Sequence, residues 1–207
     1  INYQNLQKKN VSAIPFWVNQ NIFFDIQNKE RIREKYKIDK EAFLIGSFQR
    51  DTEGSDLRSP KLSKGPDQFL EIVKKFHEEN KNTTVVLTGK RRNYLIDNLN
   101  KIGIPFYYFE MITFSQLNEL YNSLDLYIVA SRVEGGPQAI VECGITKTPI
   151  ISTDVGLASL ILNKSSIFKM DNFENAKPDV SIAYKNSLKL KIPERFKEFR
   201  LLLEKIK

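Results

Sequence analysis

The clearest indication of the fold is the stretch at residues 124–156, LDLYIVASRVEGGPQAIVECGITKTPIISTDVG. The run Leu126–Ala130 is short, apolar and bounded by polar residues, which is typical of a buried strand. Pro137 has its φ preset for a first helical turn and Gly144 can end a helix, so we predict a helix between them. Pro149–Ser152 is predicted to be the next strand. A strand, a helix and a strand in this order indicate a βαβ unit with parallel strands.

Two glutamates stand at the two ends of this predicted helix. Glu134 lies in the loop before it and Glu142 lies eight residues later, near its end. Eight residues are a little over two helical turns, so the two side chains could share one face. A helix N-terminus offers free N–H donors and favours anionic or polyhydroxyl ligands. Two glutamates alone are more often surface residues, and only the surrounding residues indicate a site.

The whole stretch resembles the donor-sugar motif of the retaining GT-B glycosyltransferases of family 4. Gly136-Pro137 replaces the commoner Phe-Gly, and Cys143-Gly144 stands where Ala-Met or Ala-Ala is usual, but neither change removes a functional side chain. The resemblance implies a Rossmann-like α/β fold with a doubly wound parallel sheet, the C-terminal half of a GT-B fold. The residues that carry it, in the family's order, are Asp125, Ser131, Glu134, Gly135, Gly136, Pro137, Glu142, Pro149 and Gly156.

The same resemblance implies roles for the motif residues. Glu134 would hydrogen-bond the hydroxyls of the donor sugar, and Glu142 would bind the ribose hydroxyls of the nucleotide. The backbone around Gly135, Gly136 and Pro137 would contact the sugar or the diphosphate. The donor would be a UDP-sugar or a GDP-sugar, with no further cofactor and no metal.

A second pair of candidates precedes an amphipathic helix pattern. Arg50 follows the apolar, strand-like run Phe43–Phe48, and Lys64 comes directly before the helix. The resemblance implies that both cations bind the donor diphosphate, and cations beside a helix N-terminus can neutralise such a leaving group. Their separation is longer than is usual in the family, and the intervening loop offers Lys61 as a rival to Lys64. Ordinary solvated lysines are the alternative interpretation.

Residues at the ends of two further predicted strands, Thr84–Gly89 and Ile104–Phe109, are candidates for contacts with the nucleotide. Ligands of parallel sheets bind beyond the carboxyl ends of the strands, so the residues that follow these strands are expected to converge on one crevice. The resemblance places the nucleotide near the first of these ends and the base against the backbone after the second. The candidates are Gly89 and Lys90, with Arg91 as an alternative to Lys90, and then Met111 and Ile112.

The composition is that of an ordinary globular protein. The chain has 207 residues, of which 41% are hydrophobic and 28% charged, enough for one core with an appendage. No apolar stretch approaches the ~20 residues of a membrane span. One cysteine excludes a disulfide framework and a single histidine, His77, makes a metal site or a histidine base unexpected. A chain without a disulfide framework fits a reducing compartment, so we expect a cytoplasmic protein.

The formal net charge of +7 favours anionic partners. The sequence contains no aromatic-interleaved basic patch and no zinc-finger spacing, so we do not expect a nucleic-acid partner. A predicted amphipathic helix from Pro193 to about Ile206 is expected to pack on the core. Peripheral contact of this basic helix with anionic lipid stays open as an alternative.

We divide the chain into a linker at residues 1–40, a nucleotide-sugar-binding domain at 41–170 and a C-terminal helical segment at 171–207. The resemblance places an acceptor-binding domain upstream of Ile1, so this stretch by itself is expected to bind donor but to transfer a hexosyl group to a hydroxyl acceptor poorly. The alternatives are a non-catalytic nucleotide-sugar module and another GT-B enzyme, such as an epimerase or a phosphorylase.

Overall fold

The computed structural model describes residues 14–204, which form a six-stranded sheet with helices on both faces. Every pair of neighbouring strands is parallel, and the strand order is β3-β2-β1-β4-β5-β6. This is the Rossmann-like doubly wound α/β sheet that the sequence predicts. The strands are β1 (Phe43–Ser47), β2 (Thr83–Thr88), β3 (Phe106–Phe109), β4 (Leu126–Val129), β5 (Ile150–Thr153) and β6 (Ile167–Phe168).

Besides the three helices predicted above, the sequence predicts helices at Ile32–Tyr36, Tyr94–Ile102, Gln116–Asn122 and Ala158–Leu162. Eight α-helices are described within residues 14–204, and all but one of them overlap a predicted helical segment. The exception is α7, in the polar region 171–191, where the hydrophobic pattern is too weak to indicate a helix. The helices are α1 (Lys29–Lys35), α2 (Pro66–Glu79), α3 (Asn93–Ile102), α4 (Phe114–Ser123), α5 (Gln138–Thr146), α6 (Ala158–Ile161), α7 (Val180–Ser187) and α8 (Glu194–Glu204); single 3₁₀ turns cover Leu62–Lys64, Lys164–Ser166, Phe173–Asn175 and Leu188–Leu190.

The central strands are buried on both faces because helices cover both sides of the sheet. Leu44 of β1 points into the cluster formed with α4, α5, α6 and α7, whereas its neighbour Ile45 points into the cluster formed with α2 and α3. Successive strand residues alternate between these clusters, as the pleat requires. A polar ligand therefore reaches the sheet only at the ends of the strands.

The chain reverses its direction of winding between β1 and β4. β1 pairs with β2 on one side and with β4 on the other. Loops that leave the carboxyl ends of these two strands diverge to opposite faces and leave a crevice between them. The fold thus puts the predicted ligand position at the ends of β1 and β4.

The boundaries of α5 differ from the prediction. Pro137 is the N-cap, not the first helical residue, and the helix continues to Thr146 and ends at Lys147, whose φ of 57° is left-handed. Gly144 is therefore interior to the helix and does not cap it. A Cβ at Gly144 would lie 2.0 Å from Oγ of Ser187, so this glycine permits α5 to pack closely on α7.

The predicted core packing of the C-terminal helix is wrong for the residues that the structure describes. Over Glu194–Glu204, α8 has no buried residue, and it exposes Phe196 and Phe199. These two rings contact Trp17 edge-on, with centroids 5.3 and 6.0 Å away. The predicted end near Ile206 lies outside the described residues. Across residues 14–204, each helix is too short or too polar to cross a bilayer.

The segment around Val18 and the segment that precedes α8 join the main core. Val18 pairs with Lys191 in an isolated parallel bridge, and Val18 is buried. Ala183 and Leu190 belong to the same core cluster. The sequence at residues 10–19 also predicts a strand followed by a loop, of which residues 10–13 lie outside the described residues. The three-part division of the chain stays a prediction.

Candidate functional site

A cavity of about 420 Å³ opens at the carboxyl ends of β1, β2, β3 and β4. A larger groove of about 590 Å³ lies elsewhere, between α1 and Glu119 of α4; we place the site at the strand ends because that is where parallel sheets bind ligands. Its lining residues are Phe48, Gln49, Lys64, Thr88, Gly89, Glu110, Met111, Ile112, Leu117, Tyr121, Tyr127, Glu134, Gly136, Pro137, Gln138, Ala139 and Glu142.

Most of the predicted site residues meet in this cavity. Within residues 14–204, Lys64 contributes to the lining whereas its rival Lys61 does not. The predicted residues in the lining are Lys64, Gly89, Met111, Ile112, Glu134, Gly136, Pro137 and Glu142. Those outside the lining are Arg50, Lys90 and Gly135, all three of which are exposed. Their roles stay predictions.

Lys64 and Glu134 form an ion pair across a separation of 70 residues. Gly65, whose φ is +62°, places the turn that carries Lys64 directly against the end of β4, since a Cβ there would lie 1.7 Å from the carbonyl oxygen of Ala130. The Ser131 hydroxyl also donates to Oε1 of Glu134, at 3.2 Å. Nζ of Lys64 donates to the same oxygen. A cation and a carboxylate thus share one wall of the cavity.

Glu142 lies on α5 with only 7% of its surface exposed. The Tyr121 hydroxyl donates to its Oε2 at 2.8 Å. Burial raises the pKa of Glu142 to about 7, because the charged form loses hydration, and the Tyr121 hydrogen bond acts in the opposite direction. The two glutamates line one cavity as predicted, but they do not share a helix face, because Glu134 precedes α5.

Three aromatic side chains form another part of the cavity wall. The ring of Phe48 lies 4.8 Å from that of Tyr121 and 5.3 Å from that of Tyr127. The Phe48 N–H donates to the Tyr127 hydroxyl at 2.9 Å, which fixes the end of β1 against β4. Tyr121 and Tyr127 are almost fully buried, so the half-buried ring of Phe48 is the surface that suits the flat face of a base or a sugar ring. The sequence does not single out these three residues, because aromatic residues in strands and in amphipathic helices normally indicate core.

A buried ion pair beside the site was also missed. Nε of Arg92 lies 3.3 Å from Oδ2 of Asp51, and both side chains are buried. Arg92 also donates to the Ser47 hydroxyl at 3.1 Å. Burial raises the pKa of Asp51 to about 6, with Arg92 acting against the rise. Because the Asp51 N–H donates to the carbonyl of Arg91, the pair joins the end of β1 to the start of α3.

The site combines a lysine, buried and half-buried carboxylates, backbone groups and aromatic faces. This arrangement can accept hydrogen bonds from hydroxyls, donate to a phosphate and pack on a flat ring, all in one cavity. In the described part of the chain, no group of three or more His, Cys, Asp or Glu side chains is placed to hold a metal ion.

Residues 57–176 match the family model described as "Glycosyl transferases group 1". No curated protein matches the chain.

Among solved structures, the chain is similar to a sucrose-phosphate synthase from Thermosynechococcus elongatus, with a TM-score of 0.73 and 12% identity over 99% of this chain and 56% of that one. It is also similar to HepE of Anabaena in complex with UDP, with a TM-score of 0.68 and 14% identity over 91% of this chain and 56% of that one. A third likeness is to the C-terminal domain of LpcC, a group 1 glycosyltransferase of Francisella tularensis. Its TM-score is 0.65, with 17% identity over 84% of this chain and 99% of that domain.

At these identities the structural likenesses show the fold alone, and the fold is that of a GT-B C-terminal domain. The chain spans about half the length of the sucrose-phosphate synthase and HepE chains. The family model, in contrast, matches more than half of the chain, at residues 57–176. This chain therefore belongs to the group 1 glycosyl transferases.

Proposed function

We propose that this chain is the donor-binding domain of a retaining glycosyltransferase of family 4, which moves a hexosyl group from a UDP- or GDP-sugar to a hydroxyl acceptor. The main support is that Lys64 lines one cavity with Glu134 and Glu142, although it lies 70 residues before Glu134. This cavity lies at the point where the strand order reverses. Further support comes from HepE of Anabaena, whose structures hold UDP, or UDP-glucose.

In this proposal each wall of the cavity binds a different part of the donor. Glu142 accepts hydrogen bonds from the ribose hydroxyls, and Glu134 accepts them from the sugar. Lys64 donates to the diphosphate. The backbone at Met111 and Ile112 meets the base.

Arg50 and Lys90 directly follow the lining residues Gln49 and Gly89. From these exposed positions their side chains would reach the diphosphate from the open side of the cavity. Positive charge placed where a diphosphate departs lowers the barrier to transfer, because it stabilises charge that develops in the transition state. The proposed reaction requires no metal.

The acceptor side of the reaction is proposed to lie on another domain. The chain alone should therefore bind nucleotide but turn over slowly. Contact of the whole protein with anionic lipid also stays a proposal: α8 exposes Phe196 and Phe199, whereas its Arg195 is paired with Glu198.

Calorimetric titration with UDP, GDP and ADP tests the proposal. One nucleotide should bind saturably to the wild type. Glu142→Gln should weaken binding about 10- to 100-fold, the usual loss for a hydrogen bond to a charged group. The matched control is Glu71→Gln, which removes a charge from an exposed position on α2 and should leave the affinity unchanged.

Failure of all three nucleotides to bind this chain and also the full-length protein would count decisively against a donor site. Affinity for nucleic acid that falls steeply with salt, with indifference to free UDP, would instead favour a role in nucleic-acid binding. If nucleotide binds but the full-length protein transfers no sugar, the domain is a non-catalytic binding module.

A further inference from the structure

Tyr121 connects α4 to the base of the cavity. Its hydroxyl donates to Oε2 of Glu142 at 2.8 Å, and the exposed fractions of the two residues are only 2% and 7%. Both residues line the cavity. Within residues 14–204, the other carboxylate oxygen, Oε1, accepts no hydrogen bond. One oxygen of Glu142 is therefore occupied by the protein, and the other is available to a ligand.

The phenol of Tyr121 is itself held in place from several sides. Its ring packs against Phe48 at 4.8 Å, Tyr127 at 5.5 Å and Phe23 at 6.2 Å between centroids. The Thr148 hydroxyl donates to the Tyr121 backbone carbonyl at 2.9 Å. A ring fixed by three aromatic neighbours loses little further freedom when its hydroxyl bonds the carboxylate, so it can dictate the orientation of that carboxylate.

We propose that Tyr121 is a positioning residue that turns the free oxygen of Glu142 toward the ribose hydroxyls of the donor nucleotide. This inference rests on the proposed function, since it assigns the ribose to Glu142. It adds a residue of α4 that the sequence motif at 124–156 does not contain. A tyrosine is suited to this task because its hydroxyl donates to a carboxylate while its ring stays among apolar neighbours.

The hydrogen bond has a second effect, on the protonation of Glu142. Burial raises the pKa of this carboxyl to about 7, and donation from Tyr121 lowers it. Tyr127 on β4 and Cys143 on α5 also face it, and burial raises their pKa values so that both stay neutral. The charged side chains in the same cavity are Lys64, Glu110 and Glu134. Removing the Tyr121 hydroxyl should therefore raise the pKa of Glu142.

The test compares the pH profile of nucleotide affinity in wild type and Tyr121→Phe, with UDP, GDP or ADP as the probe, whichever binds. A diol donates to the carboxylate, so affinity is full above the pKa of Glu142 and falls as the pH drops through it. Tyr121→Phe should move this midpoint upward by about 1 to 2 pH units and weaken binding about 5- to 30-fold at pH 7. Affinity should recover near pH 9.

Tyr127→Phe is the matched control, because its hydroxyl lines the same cavity but bonds the Phe48 N–H and not Glu142. Its midpoint should stay at the wild-type value. Glu142→Gln should abolish the pH dependence that is due to Glu142, which identifies Glu142 as the titrating group. The phosphate of the nucleotide also titrates, but its contribution is the same in all variants.

An unchanged midpoint in Tyr121→Phe, in a wild type that binds nucleotide and depends on Glu142, overturns the inference and leaves the proposed function intact. Absence of nucleotide binding to the wild type overturns both. Should Tyr121→Phe not fold, ¹³C spectra of the wild type decide: the Tyr121 ring carbon bonded to oxygen should shift with the same midpoint as the Glu142 carboxyl carbon. A Tyr121 ring-carbon shift that stays constant while the Glu142 carboxyl carbon titrates also overturns the inference.

Discussion

Replacing Glu134 by glutamine should tighten the binding of UDP while weakening the preference for a UDP-sugar. Glu134 is 11% exposed, and its Oε1 accepts hydrogen bonds from both Lys64 and Ser131. Without ligand, the cation proposed for the diphosphate is therefore paired with a carboxylate. A bound diphosphate has to compete with Glu134 for Lys64 and also experiences its repulsion.

The size of this effect follows from Coulomb's law. Two unit charges about 6 Å apart, at an effective dielectric of about 40 for a cavity that opens to water, interact by about 1.4 kcal/mol. Removal of one negative charge should thus tighten UDP binding about tenfold. A UDP-sugar also gains this binding free energy, but it loses a charged acceptor for its sugar hydroxyls, which costs about 1 kcal/mol. Its affinity should stay nearly constant.

The assay is calorimetric titration of wild type and Glu134→Gln with UDP and with UDP-glucose. Glu110→Gln is the matched control, since Glu110 lines the same cavity but is exposed and forms no ion pair within residues 14–204. Its effect on UDP should be smaller, because water screens an exposed charge. The tenfold difference should also shrink at high salt. Equal or weaker binding of UDP by Glu134→Gln would refute competition between Glu134 and the diphosphate.

Two further predictions concern stability. Because the pKa of Glu142 rises from 4.5 to about 7 on folding, its stabilising contribution is full below about pH 4.5 and is lost as the pH rises through about 7. Glu142→Gln should therefore raise the free energy of unfolding by up to about 3 kcal/mol at pH 8 but by less than about 1 kcal/mol at pH 5, as urea titrations can measure; an equal change at both pH values would contradict this. Gly144→Ala should lower the melting temperature by about 3 to 6 °C, because crowding against Ser187 costs about 1 to 3 kcal/mol and outweighs the gain in helix propensity. Its control is Gly135→Ala, where an added Cβ meets no atom within 4 Å; a stabilised Gly144→Ala would show that α7 can move away from α5.

The order of strands and helices can be predicted from the sequence because it depends on local patterns of apolar and polar residues. Short apolar runs such as Leu126–Ala130 and helical periodicity as in α2 are properties of neighbouring residues, and they survive in the fold as β4 and α2. Burial of both faces makes the strands almost continuously apolar, which is why they are easy to recognise. The polar region 171–191, which contains α7, lacks such a pattern, so the sequence does not predict that helix.

The candidate site was predictable where the family motif or the end of a predicted strand marked the position, as for Lys64, Gly89 and the 134–142 motif. Glu134 and Glu142 belong to one motif, and both line the cavity. Arg50 was predicted with them, but it is exposed outside the lining, because the residue that the chain turns inward after β1 is Asp51, against Arg92.

The α/β class, the parallel arrangement and the family motif can be predicted from the order of the residues alone. The pairing of side chains requires the folded structure: Lys64 meets Glu134 across 70 residues, and Tyr121 meets Glu142 across 21. Such partners are selected by the packing of separate elements. The packing of those elements determines whether a polar side chain contacts a charge, a hydroxyl or water. The local pattern of residues does not predict such long-range contacts.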